Sequence, residues 1–320
     1  MKQTYHTILF FTFCLLFFAC QRTTEGISPE ELAKRDSLAL HVGVMPVMEC
    51  FPIYYAQKMG FFTEEGVDVS LKEYLSQMDC DTAMQNKRVE VGYGDLIRAL
   101  QMTEEIDVIA ELQGRMSLVT ARSKRIRQLK HLNERMVGLD RLSTSDYWSD
   151  KLMERAALEQ TAIYRPQIND VQLRTFMLTE QLLDAALLPE PYASVAARKG
   201  NRQLFSTNDS MPSFACLTVA RQTLSDTTRV GQIQRFLNAY SKAVDELNGS
   251  TRNEDSIRNI LQNNYALEAS VADSLPWPTF HHVRKPKAEN VDIALQWLRK
   301  RERNISSKRR DSLICNRFVR

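Results

Sequence analysis

The sequence predicts an α/β protein of two lobes, each a mostly parallel sheet flanked by helices, with a hinge of two crossing strands. Three observations predict this. The stretch from His41 to Leu96 reads strand, helix, strand, helix, strand. The alternation continues as far as Val219 and then gives way to helical patterns alone. At 320 residues the chain exceeds what one simple core needs, and 43% hydrophobic with 25% charged residues is a globular composition.

Each element follows from local pattern. Val42-Gly43-Val44 is a short strand that breaks at Met45-Pro46. Phe51 to Met59 has helical apolar spacing, and Gly60 stops it. Val67 to Leu71 alternates as a strand, Asp79 to about Lys87 is a helix, and Val89 to Tyr93 is a third strand ending at Gly94-Asp95. Strands follow at 107–113, 117–121 and 135–139, with a helix from Asp146 to about Leu158. Val171 to Leu173 reads as a short strand, 178–182 as a helical turn, and 184–188 as a strand that stops at Pro189-Glu190-Pro191-Tyr192. After the strand at 214–219, the helix at 229–247 carries a one-sided stripe of Ile233, Phe236, Leu237, Tyr240 and Val244. Helices at 255–264, 268–275 and 291–298 complete the chain. This divides the protein into residues 38–116 plus 216–320 as one lobe and 117–215 as an inserted lobe. SLVTA (117–121) and FACLTV (214–219) form the hinge.

In open sheets of this kind ligands sit beyond the carboxyl ends of the strands. That singles out the loops at 45–52, 75–80 and 93–96, with the turns at 140–146 and 189–192. Aromatic and acidic groups gather there: Glu49, Phe51, Tyr54, Asp79, Tyr93, Asp95, Trp148, Glu190 and Tyr192. Taken singly, the aromatics fit a core and the acids fit helix caps. Together in a cleft they suit a planar or cationic organic solute better than a bare anion. Ser143, Thr144 and Ser145 are helix-capping residues whose neighbouring amides could equally bind an anion.

Catalytic signatures are missing. There is no G-x-S-x-G, H-E-x-x-H or phosphate-binding loop, and Gly92-Tyr93-Gly94 leads to Asp95 instead of a third glycine. No Cys/His spacing suits a metal, and His281-His282 has no second ligand pair. No catalytic residue, cofactor or metal is therefore expected. Cys50 and Cys80 lie in strand-end loops, where either a disulfide or two buried thiols would fit.

The two ends of the chain differ in kind. Lys2 precedes an apolar run, Ile8 to Ala19, too short for a permanent span, and residues 1–19 have the form of a signal peptide. Phe17-Phe18-Ala19-Cys20 resembles a bacterial lipoprotein cleavage box, which implies lipidation of Cys20. Residues 20–37 would then be a polar, lipidated tether. Residues 299–320 hold nine Lys and Arg against Glu302 and Asp311, a net +7 that leaves the rest of the chain at about −4. Without interleaved aromatics, this tail reads as a solvated helix and coil and not as a nucleic-acid site, with polyanion binding as the alternative.

From about residue 38 onward the chain resembles the bacterial ABC-importer solute-binding proteins of the nitrate, sulfonate and thiamine-pyrimidine-precursor branch. The match is strongest at Pro52-Ile53-Tyr54-Tyr55-Ala56-Gln57-Lys58-Met59-Gly60-Phe61-Phe62, running on to Val69, with support from Gly92–Asp95 and Glu190-Pro191-Tyr192. The resemblance implies the type II periplasmic-binding-protein architecture, with lobes closing on a ligand. It implies ligand contacts from Met48, Glu49, Phe51, Tyr54, Ser76, Gln77, Asp79, Gly94, Asp95, Ser143, Thr144, Ser145, Glu190 and Tyr192. It also implies a periplasm-facing, membrane-anchored monomer that delivers a small solute to ABC permease subunits. The segment Ser76-Gln77-Met78-Asp79-Cys80-Asp81 departs from the small, amide-presenting segment of anion binders, and its acids favour a heteroaromatic solute over sulfonate or nitrate. A related eukaryotic group makes the thiamine pyrimidine using a cysteine-rich segment near the position of Cys50. A pyrimidine-precursor enzyme using Cys50 with His281 or His282 is thus the rival expectation.

Overall fold

The structure, a computed structural model, describes residues 28–102, 105–273, 275, 277–301, 305 and 307–319. The predicted signal segment and Cys20 lie outside them. Residues 29–37, expected to be tether, belong to the helix Pro29–Leu38, which is opened by Ser28 Oγ accepting from the Glu31 N–H at 3.1 Å. Among the described residues no helix is long and apolar enough to cross a membrane.

From Leu40 onward there are ten strands: β1 (Leu40–Val44), β2 (Val69–Glu73), β3 (Val91–Asp95), β4 (Ile106–Glu111), β5 (Met116–Thr120), β6 (Arg135–Gly138), β7 (Ile163–Tyr164), β8 (Ala185–Pro189), β9 (Arg202–Ser206) and β10 (Ala215–Ala220). They make two sheets of five, ordered β2-β1-β3-β10-β4 and β7-β6-β8-β5-β9. In each sheet four strands run one way and one runs against them, β10 in the first and β5 in the second. The reversed strands are the two predicted to cross between lobes. Each is the first strand the chain enters on changing sheets, β5 after β4 and β10 after β9.

The crossing segments are bonded side by side. Leu112 N–H donates to Ala215 O at 2.9 Å, Gly114 N–H to Ser213 Oγ at 3.2 Å and Met116 N–H to Thr207 Oγ1 at 2.9 Å. Helices pack on both sheets. The Phe51–Met59 helix has Pro52 in its first turn and ends on Gly60, whose φ of +80° places it in the left-handed region a non-glycine residue resists. In the Thr227–Asn248 helix the buried face includes Ile233, Phe236, Leu237, Tyr240 and Val244, the stripe the sequence predicts. Each such side chain contributes about 1.5–3 kcal/mol on burial.

Three local expectations fail. Residues 171–173 are helical, part of Val171–Thr179. Asp170 Oδ1 accepts the Leu173 N–H at 2.9 Å, and that cap prevails over the β-propensity of Val171. Strand β9 was not anticipated because RQLFS is a half-exposed edge with little apolar alternation. The basic tail is also not a solvated face. The Ser307–Leu313 helix is docked, Arg309 is 3% exposed, and its Nη2 donates to Ala99 O and Ile106 O at 3.0 and 2.6 Å. Arg310 pairs with Asp292, and Arg317 donates to Leu224 O at 3.0 Å.

Candidate functional site

The carboxyl ends of the strands of both sheets face a cleft of about 80 Å³. The part built on the first sheet, lobe 1, supplies Glu49, Gln77, Tyr93 and Asp95, and the part built on the second, lobe 2, supplies Asp140, Ser143, Thr144, Ser145, Trp148 and Arg174. Arg115, beside the first crossing, lines it as well. The volume holds a few water molecules in this arrangement. The lobes are bonded to each other across it: Thr144 N–H donates to Asp95 Oδ2 at 2.7 Å, Met48 N–H to Glu190 O at 2.9 Å, and Val171 N–H to Leu75 O at 3.1 Å.

The walls are built by caps. Asp95 ends β3 and caps the next helix, its Oδ1 accepting from the N–H groups of Ile97 and Arg98 at 2.8 and 3.4 Å. Ser143 caps Thr144–Ala156 by accepting the Ser145 N–H at 3.1 Å, and its own hydroxyl donates to Asp140 O at 2.7 Å. Arg98 lies between the acids, with Nε donating to Asp81 at 2.5 Å and Nη1 3.7 Å from Asp140 Oδ1.

Several of these groups are buried with bonds unmade. Glu49 is 7% exposed and its Oε2 has no hydrogen-bond partner among the described residues. Burial pushes its carboxyl up to about 8, opposed by the N–H groups of Glu49 and Arg115. Arg174 is 4% exposed; Nη1 donates to Ile168 O at 2.9 Å, but Nε is unpartnered. Asp140 Oδ1 has no hydrogen bond either, only the longer contact to Arg98. Burial also raises Asp95 to about 6, with the Thr144 N–H foremost in pulling it back. The clearance on Glu49 is small, since a Cβ on Gly114 would lie 2.6 Å from its Oε1.

Of the residues named from sequence, Glu49, Gln77, Tyr93, Asp95, Ser143, Thr144, Ser145 and Trp148 meet at this cleft. Met48 and Glu190 line a neighbouring recess of about 230 Å³ with Arg115, Trp277 and Pro278. The others lie apart. Phe51 is wholly buried against Tyr265, Trp277 and Phe280. Tyr54 packs on Tyr265 with its hydroxyl unpartnered, and the Tyr192 hydroxyl accepts from Gln172 at 3.3 Å. Ser76 and Asp79 bond each other at a helix start, and Gly94 is pressed against Thr218. Arg115, Asp140 and Arg174 were missed. Asp140 directly follows the strand expected at 135–139 and was findable, whereas Arg174 directly follows residues 171–173, which read as strand but are helical.

Cys50, Cys80, Cys216 and Cys315 are free thiols, and Cys80 Sγ donates to Tyr93 O at 3.3 Å. Burial holds the Cys50 thiol well above its ordinary range, and Cys50 lines neither recess. Among the described residues no group of three His, Cys, Asp or Glu is placed to hold a metal.

The fold is shared with solved structures. The periplasmic aliphatic sulphonate-binding protein SsuA of Escherichia coli superposes with a TM-score of 0.71 at 19% identity, covering 86% of this chain and 97% of that one. The periplasmic nitrate-binding protein NrtA of Synechocystis gives 0.71 at 10%, covering 88% and 86%. The desulfurization enzyme DSZB gives 0.59 at 12%, covering 87% and 97%. At these identities the likeness is one of fold, the two-lobed periplasmic-binding-protein fold. No curated protein sequence matches the chain. The family described as NMT1/THI5 like matches residues 48–249, more than half of the sequence and both walls of the cleft, and the chain belongs to that family.

Proposed function

We propose that the protein is the solute-binding component of an ABC importer. It works outside the cytoplasm, anchored through a lipid on Cys20, and closes two lobes on a nitrogen heteroaromatic solute such as a thiamine-pyrimidine precursor. The observation that carries this is the set of buried, unfinished bonds on both walls: Glu49 Oε2 from one lobe, Asp140 Oδ1 and Arg174 Nε from the other. Buried polar atoms are ordinarily satisfied, and orphans clustered in a cleft mark where a ligand completes them. An aminopyrimidine edge offers donors and acceptors side by side. It can donate to Asp140, exchange bonds with the protonated Glu49 carboxyl and accept from Arg174, while its ring lies near Tyr93 and Trp148. A nitrate or sulfonate group offers acceptors alone and would leave the acids unmatched. The solute-binding proteins among the structural relatives support the class, and the lobe-to-lobe bonds support a closing motion that presents the liganded form to a permease.

Enzyme and polyanion readings have less behind them. Cys50 is sealed and protonated, and four of the tail arginines, Arg301, Arg309, Arg310 and Arg317, are bonded internally. The test is titration calorimetry with aminopyrimidines, alkanesulfonates and nitrate, with mass spectrometry of any small molecule that co-purifies. Saturable one-to-one binding of an aminopyrimidine is expected. Binding of a sulfonate or nitrate, with none of the heteroaromatics, overturns the solute assignment.

A further inference from the structure

We infer that Asp95 is a specificity-determining residue that excludes anionic solutes by supplying the cleft with an anion of its own. The inference rests on the binding-protein reading above. The start of the Thr144–Ala156 helix is where an oxyanion would bind, because its free amides and dipole face the cleft. Two of its first amides are already taken: Thr144 N–H donates to Asp95 Oδ2 at 2.7 Å and Ser145 N–H to Ser143 Oγ at 3.1 Å.

The donor of that carboxylate is the opposite lobe, and it is held at its other oxygen by Ile97 and Arg98 N–H groups. It cannot swing aside without uncapping its own helix. The nearby Arg98 side chain is bonded to Asp81 and lies by Asp140, and it opposes the Asp95 charge less than the Thr144 bonds do. A second observation points to the same device. Arg174, 4% exposed with Nε unpartnered, lines the same cleft and faces Asp140 as its foremost opposite charge. The cleft thus holds the two parts of an anion site, a helix start and a buried guanidinium. Each is matched by an acid of the protein, which rejects a competing anion by like charge while leaving a neutral or cationic ring unopposed.

The experiment measures ethanesulfonate and nitrate binding by calorimetry on the wild type, Asp95→Ser and Asp95→Asn. Serine keeps the helix cap and vacates the Thr144 amide, and asparagine keeps the shape and removes the charge. Expected are no saturation of the wild type at millimolar anion and at least a tenfold gain for Asp95→Ser, with a smaller gain for Asp95→Asn. Unchanged anion binding in both, with melting curves showing folded protein, overturns the inference. If serine unfolds the chain, the isosteric asparagine decides it alone. Wild-type binding of aminopyrimidines is a separate arm: its absence counts against the proposed function, whereas the variants' anion response counts for or against Asp95.

Discussion

Two buried charge clusters, one on the Thr144–Ala156 helix and one at the cleft where that helix starts, are finished to different degrees. Asp146 and Asp150 are 0% and 1% exposed, yet every oxygen is used. Asp150 accepts from Arg165 Nη2 at 3.0 Å, Arg301 Nη2 at 2.6 Å and Trp297 Nε1 at 2.8 Å. Asp146 accepts from the Leu142 N–H at 2.9 Å and the Arg301 guanidinium at 3.4 Å. At the cleft, Glu49, Asp140 and Arg174 are also buried, and each keeps one polar atom, Oε2, Oδ1 and Nε, without a hydrogen bond among the described residues. A complete buried network fixes structure, whereas an incomplete one holds a position open for something else.

The contrast breaks most visibly at the finished cluster. Asp150→Ala strands two guanidiniums and an indole N–H, and should lower unfolding free energy by about 3–5 kcal/mol in denaturant titration. Solute affinity of the folded protein should stay within about twofold. An affinity loss matching the stability loss would make the two clusters one.

A smaller effect concerns pH. Glu49, with its folded pKa at about 8 against an ordinary 4.5, keeps its proton where the unfolded chain has lost it. Stability should therefore fall as pH rises from about 4.5 to about 8 and then level. Asp95, raised to about 6, acts in the same direction over the lower part of that range. Glu49→Gln should flatten the slope between about pH 6 and 8 and leave below about 6 only the share that Asp95 contributes, as read from melting temperatures across pH.

The smallest change belongs to Arg174. Arg174→Ala should weaken the solute about 10–100-fold, or about 1.4–2.8 kcal/mol, while unfolding free energy moves by no more than about 1 kcal/mol. A stability loss as large as that of Asp150→Ala would show that Arg174 is a structural residue.

The lobe 1 half of this site was legible in sequence because strand-end loops announce themselves. The alternation at 67–71 and 89–93 and the stop at Gly60 placed Glu49, Gln77 and Asp95 at one edge. What the pattern did not carry was direction. Phe51 and Tyr54 follow the same strand as Glu49 but sit on the inner face of a helix, so they point into the core. Strand β9 escaped because edge strands need only backbone partners, and Arg174 because its helix begins on a side-chain cap instead of a long apolar stripe. Local composition likewise misrepresented the tail, where Arg309 crosses to carbonyls more than two hundred residues back in the chain.

Gly114 couples two things usually adjusted separately. It stands on the first crossing segment, and a Cβ there would lie 2.6 Å from Glu49 Oε1 and 3.1 Å from the Ala215 Cβ of the second. A side chain at 114 would therefore be met at once by the cleft carboxyl and by the neighbouring crossing strand.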